Sequence, residues 1–483
     1  MFKKITILII VCFTINACTL SRTLIHNKPS IKDGKHFSKV ILSKAVKASQ
    51  PFIQQPNSPL PPVKQWTRHQ RLKSNQSLET YLKKTNTTDF IVLRNDTILY
   101  ENYFNGNDAN SQDIGFSITK TFITSLLAIA IEEGHIKGVN QKIGDFIPSY
   151  ATGKRKNMTI NDVLQMTSGL NYGDYSKKMW QLAKTYYTPK LKDLVDEADL
   201  AHEPNTHFAY KSIDTQILGF CIENAVGKTI SEYLNEKIWQ PLGMENDALF
   251  TLDQKNGNER MYGGLGIGSR DLMRFAKLYL NKGKWNGQQI IPEKWVTSIY
   301  HRNMSEITTP NAKWWGYNKG WWLETYLNGN LNEQKDFYAA GYNGQLLYIN
   351  PEANVIILRR GHNKGGVNWQ IALGNLAELL HTGDNYQLEE EVVAKNNLIQ
   401  QHIFEGKYRK KGGKKLVQLK RKANEWLFET DNGKTCTPLT RHCPQSLYSD
   451  SKFTRIIFQI ENNQVVGLYV DDFQNLTYFE KIE

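Results

Sequence analysis

Ser117-Ile118-Thr119-Lys120 sets a hydroxyl and an amine three residues apart at the head of a run, Ser117 to Glu133, that is apolar almost all round. On a helix this spacing stacks the two side chains one turn apart on one face, so an uncharged lysine amine can take the serine proton. A helix starting there also aims free N–H groups and the positive end of its dipole at the place where an oxyanion would develop. The tetrapeptide alone is not specific, because Ser449-Asp450-Ser451-Lys452 matches it equally well. That second copy lies in a β-rich tail with no apolar helix behind it and reads as surface decoration. Context selects Ser117.

A second element, Tyr210-Lys211-Ser212, follows about ninety residues later. Tyr-x-Ser and Tyr-x-Asn are common patterns, and Tyr103, Tyr233, Tyr279, Tyr326 and Tyr348 each precede an asparagine by two. Tyr210 differs in its setting, since Pro204-Asn205-Thr206-His207 makes a turn-rich lead into a helix. His202 and His207 have no His or Cys at metal-ligand spacing, so neither metal nor cofactor is expected. No Gly-x-Ser-x-Gly elbow is present, which argues against an α/β-hydrolase.

The elements that must position these residues can be read in outline. Phe90–Leu93 and Ile98–Tyr100 flank the turn Arg94–Thr97 as a strand pair. A helix is expected near Leu72–Lys84, and the Ser117 helix should stop at Gly134, a glycine C-cap. Helices dominate from there to about Leu280, strands return over Gly341–Leu358, and a helix over Trp369–Leu380 completes the unit. Beyond Glu389-Glu390-Glu391, short strand candidates at Lys415–Leu419, Trp426–Phe428, Arg455–Phe458 and Val465–Val470 alternate with turns. They predict a small all-β domain.

The chain has 483 residues, 40% of them hydrophobic, which suits two or three packed domains and excludes a disordered chain. It begins Met1-Phe2-Lys3-Lys4 and continues through an apolar run to Ile15, basic then apolar and too short to span a bilayer. Ile15-Asn16-Ala17-Cys18 resembles a bacterial lipobox, with Cys18 as the lipidated residue. The alternative is a secretory signal with a chance cysteine. Thr19, in place of an aspartate, favours the outer membrane, so the chain is expected in the cell envelope, lipid-anchored and facing the periplasm. Residues 19–64, rich in proline towards their end, read as a flexible tether. The formal charge of +13 would suit nucleic acid, but export removes that partner and leaves lipid head groups or other anionic envelope polymers, or else a generic basic surface.

Together these residues resemble the penicillin-binding-protein and class C β-lactamase superfamily of serine hydrolases, and within it the esterase and 6-aminohexanoate-dimer-hydrolase branch. Supporting stretches run from about residue 85 to 382. They include Glu133-Gly134-His135-Ile136-Lys137, Ile143-Gly144-Asp145-Phe146-Ile147-Pro148, Thr159–Leu170, Pro241-Leu242-Gly243-Met244 and Gly263-Gly264-Leu265 followed by Arg270-Asp271-Leu272. The resemblance implies an α+β fold, an antiparallel sheet flanked by helices with a helical subdomain, here followed by the all-β domain. It implies that Tyr210 shuttles protons beside Lys120 and that Ser212 completes the hydrogen-bond network.

The family's third element, Lys-Thr-Gly or His-x-Gly, has no Lys-Thr-Gly counterpart here. The matching stretch is Ala340-Gly341-Tyr342-Asn343-Gly344-Gln345, expected on a strand, with the Tyr342 N–H as second oxyanion donor beside that of Ser117 and with Asn343 and Gly344 at the substrate. Without the cation that holds a substrate carboxylate, weight moves from β-lactams and D,D-peptides to esters or amides cleaved through an acyl-enzyme. Two rivals remain: a β-lactamase or D,D-peptidase, and a weakly catalytic envelope lipoprotein that binds peptidoglycan. The expected partners are a small ester or amide, or a peptidoglycan fragment, and the membrane. Tyr175 overhangs the cleft or packs in its loop, and Trp314-Trp315 and Trp321-Trp322 line a pocket or belong to the core.

The domain reading is therefore a signal over 1–18, the tether over 19–64, the hydrolase over 65–384 and the β domain over 400–483. Of five cysteines, Cys221 sits in an apolar helical pattern and reads as a small inert hydrophobe. Cys436 and Cys443 are close in sequence and outside the cytoplasm, which predicts a disulfide across a turn.

Overall fold

The computed structural model describes residues 28–55, 60–67, 76–172, 179–300, 316–323 and 336–382, and then 405–422, 425–430, 437–443, 446–449, 454–461, 464–471 and 476–482, with Thr19, Arg22 and Thr23 ahead of them. The expected tether is the first correction. Lys39–Leu42 (β1) is a strand and so is Ile53–Gln54 (β2), and the short helix Val63–Trp66 follows Pro62. Proline opposes helix interiors and ladder donation, but it leaves edge strands and helix starts open. The stretch therefore packs: Ile31, Leu42 and Trp66 are buried, and the Trp66 indole N–H donates to the Pro61 carbonyl at 3.0 Å.

Thr87–Arg94 (β3) and Thr97–Tyr103 (β4) pair antiparallel with Arg94 opposite Thr97. The two residues between them, Asn95 and Asp96, both take positive φ (47° and 66°), as a tight twisted hairpin requires. β2 runs parallel to β4 on the outer side. Next in the chain come Asp113–Ile114 (β5), Ala248–Thr251 (β6), Leu265–Ile267 (β7) and the small hairpin Lys284–Trp285 (β8) with Gln288–Gln289 (β9). Then follow Tyr317–Asn318 (β10), Trp321–Leu323 (β11), Phe337–Gly341 (β12), Gln345–Asn350 (β13) and Val355–Gly361 (β14).

These strands build an eight-stranded sheet in the order β10-β11-β12-β13-β14-β3-β4-β2 and a four-stranded sheet in the order β1-β6-β7-β5. β1 pairs with β6 from Lys39 opposite Thr251 to Leu42 opposite Ala248, so the N-terminal stretch completes the second sheet. Every pair in the larger sheet except β2 with β4 is antiparallel. With the helices this is the α+β fold implied by the sequence.

The apolar run after the serine is the helix Thr119–Glu132, buried from Thr119 to Ala130 and packed against the helix Ser212–Val226. It ends on Gly134 at φ +79°, with the His135 N–H donating to the Ala130 carbonyl at 2.9 Å and the Gly134 N–H to Ile131 at 3.1 Å. That double bond pattern satisfies two orphan carbonyls at the helix end. Cys221 lies wholly inside this core, and burial pushes its thiol up.

In the C-terminal part, Gly406–Lys410 (β15), Leu416–Lys422 (β16), Glu425–Thr430 (β17), Thr437–Cys443 (β18), Ser446–Ser449 (β19), Thr454–Glu461 (β20), Gln464–Asp471 (β21) and Leu476–Lys481 (β22) close into one barrel. Each strand pairs antiparallel with its neighbour in sequence, and Tyr408 of β15 meets Lys481 of β22 to close it. Four of the eight strands, β15, β18, β19 and β22, were not among the sequence candidates. The expected turn between the cysteines is a further correction. Cys436 lies outside the described residues, but Thr437 to Cys443 is strand, and an extended run of that length spans about 20 Å. The strand replaces the expected turn, and the Cys436–Cys443 pairing itself rests on a residue outside those described.

Candidate active site

The nucleophile candidate does not sit inside the α-helix that the sequence suggested. Phe116–Ile118 form a single 3₁₀ turn, and the α-helix starts at Thr119. Phe116 takes φ +49°, a left-handed conformation that costs an L residue about 1–2 kcal/mol. Its ring is held from two sides, edge-on to Tyr342 at 5.7 Å and tilted against Tyr186 at 6.3 Å. The turn lifts Ser117 out of the core, partly exposed, while its neighbours Phe116, Ile118, Thr119 and Lys120 are buried.

Lys120 is 1% exposed. Its Nζ lies 2.9 Å from Ser117 Oγ, 3.3 Å from Ser212 Oγ and 2.9 Å from the carbonyl oxygen of Tyr262. The same nitrogen stands 5.1 Å from the ring centre of Tyr210 and 5.8 Å from that of Tyr262. Tyr210 is 5% exposed and is fixed by stacking on Trp322 at 5.2 Å and an edge contact with Tyr317 at 5.6 Å. Three residues from the two sequence motifs, Ser117, Tyr210 and Ser212, thus converge on the Lys120 amine.

The middle residue of the second motif has its own place. Lys211 is buried, its Nζ 3.2 Å from Ser168 Oγ and 3.9 Å from Asp214, and the Ser168 hydroxyl donates to Asp214 at 2.7 Å. This network ties Tyr210 and Ser212 to the turn Thr167-Ser168-Gly169. Sequence reasoning missed it, and it missed the Tyr262 carbonyl. A signal for the carbonyl was available, since Tyr262 immediately precedes Gly263-Gly264, where the chain turns back to enter β7.

The third element is corrected in kind. Tyr342–Gly344 is the tight connection between β12 and β13, not part of a strand, because Asn343 at φ +64° and Gly344 at φ +79° cannot continue a pleated run. β12 brings it to the nucleophile: a Cβ on Gly341 would lie 2.3 Å from the Gly115 carbonyl oxygen, so only glycine allows the two backbones to approach so closely. Tyr342 is 43% exposed at the rim. The Asn343 amide donates to the Pro29 carbonyl at 3.0 Å, and the Asn343 and Gly344 carbonyls accept from Arg359 at 3.3 and 2.8 Å. Arg359 is fully buried, which lowers its guanidinium to about 9.

Other candidates separate. Tyr175 and Trp314-Trp315 lie outside the described residues, as does Cys18. Trp321 is wholly buried among Tyr279 and Phe337, whereas Trp322 packs on Tyr210. His202 and His207 stack on each other at 4.1 Å.

The model of the family described as Beta-lactamase matches residues 77–360, more than half of the chain. The chain belongs to the beta-lactamase family. It is a beta-lactamase-fold hydrolase, and both motifs and the β12–β13 turn fall inside the matched span. Among curated relatives, a 6-aminohexanoate-dimer hydrolase of Paenarthrobacter ureafaciens is 25% identical over 298 residues, covering 58% of this chain and 74% of that protein. A solved Bacillus anthracis structure provisionally named a 6-aminohexanoate-dimer hydrolase superposes with a TM-score of 0.63 at 22% identity, over 73% of this chain and 92% of its own. The octameric penicillin-binding protein homologue of Pyrococcus abyssi superposes with a TM-score of 0.52 at 18% identity, over 83% of this chain and 97% of its own.

Proposed function

We propose that the protein cleaves a small ester or amide through an acyl-enzyme on Ser117. The observation that carries this reading is the buried Lys120 amine, 2.9 Å from the partly exposed Ser117 hydroxyl oxygen and bridged to Ser212. An uncharged amine has two N–H bonds and one lone pair. Such an amine can donate to the Tyr262 carbonyl and Ser212 Oγ while its lone pair accepts the Ser117 proton.

Ser117 Oγ then attacks the substrate carbonyl while its proton passes to Lys120. The N–H groups of Ser117 and Tyr342 stabilise the oxyanion. On collapse, the leaving alkoxide or amine takes that proton, with Tyr210 beside Lys120 as the relay. Water attacks the acyl-enzyme by the same route in reverse, releasing the acid. The kinship with 6-aminohexanoate-dimer hydrolase supports amides as well as esters. With Tyr342 and Asn343 at the third motif's own positions, the motif itself supplies no lysine for a substrate carboxylate, which weighs against β-lactams and D,D-peptides.

The test is a panel of acyl esters, short amides and a chromogenic β-lactam, with the slowest ester used to trap the intermediate for peptide mass mapping. An acyl mass on the peptide containing Ser117 is the expected result. Turnover without a covalent adduct, or an adduct elsewhere, overturns the mechanism.

Export with lipidation at Cys18 belongs to the same reading and is supported by the N-terminal signature. Arg22 already hydrogen-bonds the Asp253 carbonyl at 2.8 Å, so the enzyme would sit close to its bilayer and not on a long tether. Metabolic labelling with a fatty-acid analogue is expected to mark the wild type and not Cys18→Ser. An unlabelled wild type refutes the anchor.

A further inference from the structure

The segment just after residue 28 is joined to both backbones from which the proposed oxyanion donors come. The Ile31 carbonyl accepts the N–H of Ile114, three residues before Ser117, at 2.8 Å. Two residues earlier, the Pro29 carbonyl accepts the side-chain amide of Asn343, the neighbour of Tyr342, at 3.0 Å. Two bonds so close on one short segment fix the nucleophile strand relative to the β12–β13 turn.

The segment is itself firmly held. Lys32 Nζ lies 2.6 Å from the buried carboxylate of Asp113 and 2.6 Å from Asn107 Oδ1. Asp33 is 3% exposed and accepts the Ser30 N–H at 2.9 Å and the Tyr186 hydroxyl at 2.7 Å. Ile31 and Phe37 are buried in one cluster with Ile114, Phe116, Tyr186 and Tyr262. That cluster holds both the strained residue before the nucleophile and the residue whose carbonyl receives Lys120.

We propose that residues 29–33 are a positioning clamp for the oxyanion site, setting the separation of the Ser117 and Tyr342 N–H groups through the Ile31–Ile114 and Pro29–Asn343 bonds. This rests on the reading of those two N–H groups as the donors. None of the clamp residues touches the reacting atoms. They act through the turn that carries Ser117 and the turn that carries Tyr342. Hydrogen-bond donors spaced for a carbonyl oxygen fit poorly to the larger, weaker acceptor of a thiocarbonyl, so oxygen-over-sulfur preference reads out donor spacing directly.

The experiment compares the full-length wild type with Asn343→Gly and Asn343→Asp. Both tolerate the left-handed conformation, and neither can donate to the Pro29 carbonyl. An ester and its thionoester analogue, with C=S in place of C=O, are hydrolysed by each protein, and rates are normalised to alkaline hydrolysis of the same pair. The wild type is expected to prefer the oxygen ester by at least about tenfold. In both variants kcat on the oxygen ester falls about tenfold and the preference shrinks by a similar factor, while KM and Tm hold. A wild-type preference retained in both variants overturns the clamp alone, as does a loss of kcat with the preference intact, or a loss confined to the glycine variant. A wild type without oxygen preference overturns the clamp together with the oxyanion reading beneath it.

Discussion

Ser117-Ile118-Thr119-Lys120 and Ser449-Asp450-Ser451-Lys452 are the same pattern in two different structural settings. In the first, a 3₁₀ turn runs into a buried α-helix, and the serine and lysine side chains meet at 2.9 Å. In the second, Ser449 is the last residue of β19 in the barrel, and Asp450 to Lys452 lie outside the described residues. Ser449 pairs across the ladder with Thr454 of β20, so its backbone is extended where that of Ser117 is coiled into the 3₁₀ turn. The difference teaches that the spacing is only an opportunity. What makes chemistry from it is the backbone conformation, a third oxygen to hold the amine and a wall that keeps water from solvating it.

The widest test of this contrast replaces each serine. Ser117→Ala is expected to lower turnover by at least about 10⁴-fold and to abolish labelling by a fluorophosphonate probe. Ser449→Ala is expected to change neither. Equal labelling of the Ser117→Ala protein would break the comparison at its root.

The lysine partners sharpen it. Lys120→Ala should cost on the order of 10³-fold in kcat and Tyr210→Phe on the order of 10²-fold, as proton transfer by a placed base and relay would. Lys452→Ala should leave kcat unchanged. A Tyr210→Phe enzyme with near-normal turnover would mean that Lys120 handles both proton transfers alone.

The smallest effect concerns the fold, and it must be known before any pH–rate profile is assigned to Lys120 or Tyr210. Glu223 and Glu259 receive the first N–H groups of the helix Ile230–Leu234, from Ile230 at 3.1 Å and Ser231 at 3.0 Å. Burial, and then the repulsion of Glu259, pushes Glu223 up to about 8, and burial pushes Glu259 up to about 7. Both folded-state values lie above the unfolded range, so the folded chain holds protons that the unfolded chain releases. Their contribution to stability is complete at low pH and is lost as pH rises through about 7 and 8. Tm is expected to drop by a few degrees between about pH 6 and about pH 9, and Glu223→Gln should flatten that slope. An unchanged slope in Glu223→Gln would place the titrating group elsewhere.

The local signals proved readable for definite reasons. Asn95-Asp96 encodes a tight hairpin because both residues tolerate positive φ, and Gly134 encodes a helix stop for the same reason. The run from Thr119 to Ala130 is apolar on all sides because it is buried on all sides. Family membership was legible because several such signals occur in a fixed order along the chain. The proline-rich N-terminal stretch was misread because composition reports what a segment cannot do alone, not what an open sheet edge can do for it. β1 is a strand only because β6 offers Ala248–Thr251 as a partner. The turn expected between Cys436 and Cys443 was misread in the same way, since Thr437–Cys443 is a strand paired to its neighbours in the barrel.

The sequence by itself determined the residue types and intervals of the two motifs, the apolar helix behind Ser117 and the presence of a separate strand-rich C-terminal part, since these depend on local periodicity and on backbone preferences of single residues. The tertiary structure alone decided that the Tyr262 carbonyl receives Lys120, that Phe116 holds a left-handed turn beneath Ser117, and that Pro29 and Ile31 join the nucleophile strand to the Tyr342 turn. Those are contacts between residues dozens to hundreds of positions apart. No local preference specifies them, and they form only when burial of the shared aromatic cluster outweighs the strain and desolvation that each contact costs by itself.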